Sequence, residues 1–537
     1  MNDRPQPSLP SNLHIAGTQR TQYSFPVYRF INWIAVGGYL IGLVAMYFLL
    51  GMFGIPAPLG WAAIVILLTI GILLIGKPKL LLNCLLFYFL LMPGNRLLGL
   101  LPIPLPNFLD ELFFVPLIAV IVMYHINGHV RHGGLWFPAL FVLITGLSWY
   151  VNGKPSTYAL IKVTLINLKF FILWYYCRLT ATFEDDKEAV RWAWLYVGYA
   201  ALQFAYNCLW QRGPWPTRHP DYSFGVFGFP GAHMVGYMSV LGLFLLYGIY
   251  IANRDRFSRR GKWGLLLLAV VLLHNLVFMT DTKHALVIAP VCCSVLFVLP
   301  HVSVRMRISA ILLALAMGVA GFTYFHMQGG MDWAQSWVRR GLQNSARAAV
   351  MQAVTRDFPY IVRYPLLGAG PGQFTSESAQ ASLKPLARRY ILPYSAEERR
   401  RSYFGLQGTT STASVIGSAA VDTFYIVGEL GYAGELLFIV YFFWVAWQLL
   451  RRGTNERNKT RIWGISLMLG VGVLFLTALR FLANISTVPA LSYPIWILIG
   501  RLWDMPPPGS KALPSADDAL DALEEAPTAS RDFEDVG

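Results

Sequence analysis

Apolar runs separated by short polar stretches make up most of this 537-residue chain. A helix needs roughly 20 apolar residues to cross the hydrocarbon core of a bilayer. Lipid offers no partner to unpaired backbone groups, so apolar runs of this length must be helical there. The pattern predicts fourteen spanning helices, within a range of twelve to fourteen, at residues 30–52, 59–76, 80–93, 110–126, 135–151, 158–178, 189–210, 233–252, 263–280, 285–300, 308–325, 423–450, 462–480 and 488–503.

The short loops between these runs carry basic residues mainly on every second loop. If the N-terminus is cytoplasmic, one side collects the basic clusters at 77–79, 254–262, 305–307 and 451–461, whereas the short loops on the other side hold few Lys or Arg. Cytoplasmic loops of membrane proteins carry such an excess. The alternation therefore predicts an even number of spans and places both termini in the cytoplasm.

Composition supports the same fold class, because 55% of the residues are hydrophobic and only 13% are charged. Soluble domains are typically about 25% charged, so the polar surface of a soluble enzyme is missing. We therefore predict an all-α polytopic integral membrane protein.

Three regions depart from the apolar pattern. Residues 1–29 form a polar N-terminal segment and 30–325 contain helices 1–11, whereas 326–422 form a large outer loop before helices 12–14 at 423–503. A loop of about a hundred residues is usually functional. The acidic tail at 504–537 contains a run of prolines, and this composition predicts a disordered cytoplasmic segment.

The net charge of +15 does not indicate a nucleic-acid partner, because the basic residues lie in short clusters between apolar runs. All five cysteines fall inside apolar runs, and no spacing of Cys and His is typical of a metal site. We expect no metal, no disulfide framework and no cofactor.

The outer loop is basic, with eleven Lys or Arg against five Asp or Glu within 326–421. Guanidinium groups bind phosphate oxygens in pairs, so a lipid-linked diphosphate would be a suitable partner. The alternative for any single arginine is a solvated surface or contact with lipid headgroups. The same loop contains Gly368, Gly370 and Gly372, which permit positive φ and close backbone approach. By themselves these glycines are also compatible with an ordinary turn.

Four segments, in chain order, resemble the bacterial O-antigen ligase / Wzy-type polysaccharide polymerase superfamily. They read GVFGFPG at 225–231, TDTKHA at 280–285, SAR at 345–347 with PLLGAGPGQF at 365–374, and DTFY at 422–425 with ELGYAG at 429–434. They look like the family's GxFxNPN segment, its SxSRGA turn, its Arg-bearing loop helix with PLxGxGxxF, and its segment ending in ExGxxG. Ligases of this family carry His where this chain has Asp422, so the chain looks more like the polymerase branch.

The resemblance implies a GT-C-like membrane glycosyltransferase in the bacterial inner membrane. Such an enzyme transfers a polyprenyl-diphosphate-linked glycan to a hydroxyl of a second lipid-linked repeat unit at the outer face, without a metal ion. On the basis of this resemblance we expect Arg347 to be catalytic and Arg340, Lys283 and Arg218 to bind the diphosphate. Asp422 is the candidate base for the acceptor hydroxyl, and a simple helix N-cap is the alternative role.

Two further basic residues are candidate substrate-binding groups. Lys169 lies near the middle of a predicted span, where a charge is costly and points to a partner. It either forms a structural ion pair or lines the substrate path. Arg480 stands at the outer end of its span, where it either lines the cavity or extends to the membrane surface.

The leading hypothesis is a Wzy-type polymerase that joins repeat units into a cell-surface or exopolysaccharide. The resemblance suggests a chain-length co-polymerase and a flippase as partners. The nearest alternative is a ligase that transfers finished glycan to a lipid or protein acceptor. A polysaccharide-precursor flippase or transporter would have a similar number of spans, but it would show repeat symmetry and short outer loops.

Overall fold

The computed structural model describes residues 78–91, 109–183, 185–210, 225, 232–280, 282–299, 302, 304–327, 335, 355–356, 358–374, 422–454, 462–483, 485 and 489–505. Of these residues 84% are helical and none lies in a strand, which confirms the all-α fold class. The predicted spans at 30–52 and 59–76, the N-terminal segment, the tail from 506 and most of the outer loop lie outside the described residues.

Most of the remaining predicted spans agree with a described helix to within four residues at each end. The helices are α1 (Pro78–Leu91), α2 (Leu109–Ile126), α3 (Trp136–Val151), α4 (Thr157–Thr180), α5 (Asp186–Trp210), α6 (Ala232–Asn253), α7 (Arg259–His274), α8 (Lys283–Cys293), α9 (Val295–Val298), α10 (Val304–Met327), α11 (Phe358–Ile361), α12 (Asp422–Thr454), α13 (Trp463–Leu479) and α14 (Pro489–Trp503).

Three of the predicted spans are interrupted. Helix α7 continues into a π-helical turn at Asn275–Met279, and the predicted span at 285–300 is divided into α8 and α9. Helix α12 breaks at Gly431, whose φ of 72° and ψ of −173° are not helical. A break frees backbone groups that need new partners, and the partners of the α12 break form the candidate site described below.

Four of the described helices are long and apolar enough to cross a membrane: Thr157–Thr180, His233–Arg256, Arg259–Met279 and Asp422–Thr454. The distribution of apolar and charged residues in the bundle is inverted relative to a soluble protein. Leu267 and Val270 of α7 are more than half exposed, whereas Asp422, Glu429 and Arg480 are almost completely buried. Apolar residues on the outside and charges on the inside are typical of membrane proteins.

Aromatic side chains hold the centre of the bundle together. Tyr441 of α12 stacks on Phe137 of α3 with ring centroids 4.1 Å apart, and Phe170 of α4 packs on Trp496 of α14 at 4.9 Å. Large aromatic rings bury much apolar surface and pack against each other in preferred orientations. They therefore fix the relative placement of α3, α4, α12 and α14.

Ionic contacts join several helix termini at one end of the bundle, which we name the Arg178 end. Arg178 ion-pairs with Asp504 at 2.8 Å and also donates to the carbonyl of Gly133. Arg501 ion-pairs with Glu188. The ends of α4 and α14 thus meet the residues that begin α5 and precede α3.

The other termini of the helices lie at the opposite end of the bundle, which we name the Asp422 end. There the amide of Asp422, at the start of α12, donates to the carbonyl of Ala483 just beyond α13 at 3.2 Å. Asn152, just beyond α3, contacts Gly368. Successive helices therefore run in opposite directions from α3 to α5 and from α12 to α14, as the charge pattern predicts.

Candidate functional site

Two sequence motifs that are more than 50 residues apart dock on each other at the Asp422 end. The segment 364–374, which we name the glycine loop, lies along the broken part of α12. Four backbone N–H groups bridge the two segments: Ala369 to the Gly428 carbonyl at 2.9 Å, Gly370 to Glu429 at 3.1 Å, Tyr432 to Pro365 at 3.2 Å and Ala433 to Leu366 at 3.1 Å. The loop thereby satisfies backbone groups that the helix break leaves without helical partners.

Only glycine fits at the closest points of this junction. A Cβ atom at Gly431 would lie 2.2 Å from the carbonyl carbon of Leu366, and one at Gly368 would lie 2.4 Å from the carbonyl carbon of Glu429. The φ angles of Gly368, Gly370 and Gly372 are 77°, 101° and 72°. The expectation of positive φ is confirmed for all three loop glycines, and close backbone approach is confirmed at Gly368.

Glu429, a residue of α3 and the residue just beyond α3 hold the glycine loop further. The completely buried carboxylate of Glu429 accepts a hydrogen bond from the Gly372 amide at 3.0 Å. Its carbonyl accepts another from the Ser148 hydroxyl at 2.9 Å. Asn152 donates to the Gly368 carbonyl at 3.1 Å. These side chains tie α3, α12 and the loop into one unit.

The far end of the loop is held by an aromatic contact. Phe374 packs directly against Gly428, where a Cβ atom would be 1.8 Å from its ring. The same ring meets Phe424 edge-on, with centroids 5.0 Å apart. The Phe374 ring therefore occupies the space that a side chain at position 428 would fill.

A closed ring of polar contacts lies beside this junction, and we name it the Arg480 ring. The Thr423 amide donates to the Arg480 carbonyl at 3.2 Å. The Thr423 hydroxyl donates to Oε1 of Glu435 at 2.9 Å, and Arg480 pairs with Oε2 of Glu435 at 2.8 Å. The guanidinium also lies over the Phe438 ring, 4.3 Å from its centroid.

Of the two alternatives for Arg480, extension to the membrane surface is contradicted by its burial, and a substrate-binding role stays a prediction. Its side chain is only 1% exposed, because Glu435 supplies a counterion inside the bundle. Sequence reasoning missed Glu435. Its signal was an acidic residue in an otherwise apolar run, which is expensive unless it has a partner.

Asp422 makes contacts of a structural kind. It is completely buried, and its Oδ2 accepts a hydrogen bond from the Ile485 amide at 3.1 Å. Its own amide bonds to Ala483. The carboxylate therefore binds the turn that follows α13. The role as base for an acceptor hydroxyl stays a prediction.

Helix α4 contributes two of the buried polar groups near the centre of the bundle. The Tyr425 hydroxyl donates to Oδ1 of Asn167 at 2.6 Å. Lys169, two residues further along α4, lies with its Nζ 5.7 Å from the Phe114 ring centroid of α2 and is 4% exposed. Asn167 and Lys169 thus contact different neighbouring helices.

The first motif contacts a second polar cluster, which includes the π-turn that precedes the second motif. The Gly225 amide donates to Asn207 of α5 at 2.7 Å, Asn207 bonds to Asn275 in the π-turn at 3.3 Å, and Asn275 bonds to Ser239 of α6 at 3.0 Å. π-Turns inside helices often mark functional sites. Asparagines inside apolar runs were the sequence signal that this cluster offered.

The turn before α8 packs against α6. A Cβ atom at Gly236 would lie 2.0 Å from the Thr282 hydroxyl, so Thr282 fills the space that the glycine leaves. The His284 ring hydrogen-bonds the Tyr237 hydroxyl. Lys283 therefore begins α8 between two residues that are anchored on α6. The positions of the Lys283 side chain and of Arg218, Arg340 and Arg347 lie outside the described residues.

Within the described residues there is no group of three or more His, Cys, Asp or Glu side chains arranged to hold a metal ion. No protein-family model matches the chain, and no curated protein matches it significantly.

Proposed function

We propose that the chain is a membrane glycosyltransferase of the Wzy type. It would join polyprenyl-diphosphate-linked oligosaccharide repeat units into a cell-surface or exopolysaccharide at the outer face of the bacterial inner membrane. The proposal places the Asp422 end at the outer face and the Arg178 end in the cytoplasm, which agrees with the excess of basic loops at the latter.

The observation that carries the proposal is the docking of the glycine loop on the α12 break. The loop's PLLGAGPGQF string and the ELGYAG segment resemble the family separately, and they meet through four backbone hydrogen bonds. The docked loop joins the basic outer segment to a bundle that buries charges at the same end. A lipid-linked diphosphate would use both features. The basic segment would face its charged headgroup, and the bundle would lie beside its tail in the membrane.

The proposed reaction needs cations at the leaving group and a base at the acceptor. An acceptor hydroxyl attacks the anomeric carbon of the donor, a new glycosidic bond forms, and the bond to the diphosphate breaks. Polyprenyl diphosphate leaves with the electron pair, and Asp422 takes the hydroxyl proton. Arg347 and Arg340, with Lys283 and Arg218, stabilise the charge that develops on the diphosphate, an effect that is strong near low-dielectric lipid.

Two other functions would use the same architecture. A ligase would transfer finished glycan to a lipid or protein acceptor, and a precursor flippase would move the lipid-linked unit without chemistry. The glycine loop favours transfer chemistry over transport, since it is part of a large basic segment that a flippase does not require.

The test is a strain that lacks the protein, complemented with wild type, Arg347→Ala or Lys283→Ala at equal membrane abundance. Lipid-linked glycans are extracted and sized. We expect single repeat units to accumulate and polymer to be lost without the protein and with Arg347→Ala. Long lipid-linked polymer that never reaches an acceptor would indicate a ligase, and repeat units trapped on the cytoplasmic face would indicate a flippase.

The two roles of Asp422 separate in the variant Asp422→Asn. Asparagine keeps an oxygen that accepts the Ile485 N–H but cannot take a proton from the acceptor. If Asp422 is the base, we expect polymerisation to fall by roughly 10²-fold or more with unchanged thermal stability. Activity within about threefold of wild type would restrict Asp422 to its structural contact.

A further inference from the structure

We propose that Glu435 and Arg480 form a positioning pair for Asp422, and that Arg480 does not bind the substrate diphosphate. This inference rests on the proposed function, because it assumes that Asp422 acts as the base. It adds Glu435 to the residues that support the reaction, and it assigns Arg480 to a contact inside the bundle instead of to the substrate.

The break in α12 is what brings the pair to Asp422. In an uninterrupted helix, Thr423 and Glu435 would be separated by about 18 Å along the axis. In the structure a single hydrogen bond of 2.9 Å joins their side chains. Glu435 is therefore bonded to the residue next to Asp422, at the start of α12.

The Arg480 ring closes on itself and includes the backbone. Arg480 contacts Glu435 through its side chain and Thr423 through its carbonyl, and Glu435 contacts Thr423 in turn. Asp422 then bonds to Ala483 and Ile485, which follow Arg480 in the chain. The same short stretch of chain after α13 therefore holds both Thr423 and Asp422.

The surroundings of Arg480 argue against a role as a ligand for the diphosphate. The guanidinium lies between Glu435 and the rings of Phe438 and Phe442, whose centroids are 4.3 Å and 5.3 Å away. It is 1% exposed. A diphosphate would have to reach a buried guanidinium that is already paired with a carboxylate at 2.8 Å.

The charge balance of the pair provides a sharp test. Removal of one member of a buried ion pair leaves an uncompensated charge and is strongly destabilising, whereas replacement of both members by neutral groups is often mild. A positioning pair should therefore tolerate loss of both charges better than loss of either. A cation that binds substrate should not be rescued by a second change at Glu435.

The experiment uses purified full-length protein in lipid vesicles with a lipid-linked repeat unit as substrate. The variants are Glu435→Gln, Arg480→Gln and the double variant Glu435→Gln/Arg480→Gln. The matched controls are Arg178→Gln and Asp504→Asn, which break an ion pair of the same 2.8 Å length at the opposite end. Thermal stability, kcat and KM for the lipid-linked donor are measured for each.

We expect each single variant at the Arg480 ring to lower kcat by about 10-fold to 100-fold with little change in KM, because a small displacement of a catalytic group costs this much. The double variant should recover to within about fivefold of wild type. The controls should lower thermal stability without lowering kcat. In an Asp422→Asn background, Glu435→Gln should lower stability but cause no further loss of kcat.

Three results would overturn the inference while wild type remains an active polymerase. The first is a double variant as inactive as Arg480→Gln with a raised KM, which would make Arg480 a substrate ligand. The second is a loss of kcat no greater than in the controls at equal loss of stability. The third is an unchanged effect of Glu435→Gln when Asp422 is already Asn. A wild type that forms no polymer would instead overturn the proposed function, and this inference with it.

Discussion

At the scale of single residues, the candidate site depends on positions where one side chain, or the lack of one, decides the local structure. Gly431 is the clearest case. Its φ of 72° with ψ of −173° belongs to a region that is essentially reserved for glycine. The space for a Cβ is also taken by the Leu366 backbone. Both constraints come from the docking of the glycine loop.

We predict that Gly431→Ala destabilises the protein by about 2–5 kcal/mol, from backbone strain and from the clash with Leu366. The measurement is the thermal unfolding midpoint of detergent-purified protein. Gly146→Ala in α3 is the matched control, since nothing lies within 4 Å of a Cβ there. This control should be neutral or stabilising by up to about 1 kcal/mol. Equal unfolding midpoints for the two variants would contradict the tight junction at Gly431.

At the scale of elements, the site is a junction between a loop, a broken helix and the end of α3. Asn152 makes hydrogen bonds to both α3 and the loop. Its side-chain amide donates to the Ser148 carbonyl within α3 at 2.8 Å and to the Gly368 carbonyl of the loop at 3.1 Å. The loop is therefore ordered by partners on two helices.

We predict that Asn152→Ala loosens the glycine loop, because the Gly368 carbonyl loses its side-chain donor at a cost of about 0.5–1.5 kcal/mol. Hydrogen exchange should become faster in peptides covering 364–374. Asn253→Ala is the matched control, since Asn253 also donates to the carbonyl four residues earlier, that of Ile249, at the end of a helix. If both variants leave exchange in the loop unchanged, Asn152 does not order it.

At the scale of the whole molecule, the alternation of helix directions separates two ends. Pro155 and Tyr360 are exposed near the Asp422 end, whereas His129 is exposed near the Arg178 end. If the bundle crosses the membrane, these positions face opposite compartments.

We predict opposite labelling of cysteines placed at these positions in a variant without the five native cysteines. Pro155→Cys and Tyr360→Cys should react with a membrane-impermeant thiol reagent in intact cells. His129→Cys should react only after the membrane is permeabilised. Reaction of all three from one side would contradict the proposed topology, and exchange of the two patterns would invert it.

Much of the fold was predictable from the sequence, and much less of the site was. Helix positions follow from the lengths of the apolar runs, because unpaired backbone groups in lipid leave few alternatives to a helix. The positive φ of Gly368 and its neighbours was predictable from residue type. The partners of Arg480 and Asn167 were not, because Glu435 and Tyr425 come from distant parts of the chain or from beyond a helix break.

The sequence by itself determined the helical class, the approximate bounds of the described helices and the direction in which they alternate, since these depend on local hydropathy and loop charge. Only the tertiary structure decided which polar groups meet. The break at Gly431 folds the start of α12 back toward Glu435, and the glycine loop fills the gap. Buried charges need partners wherever the chain supplies them, and that choice depends on distances between segments that are far apart in the sequence.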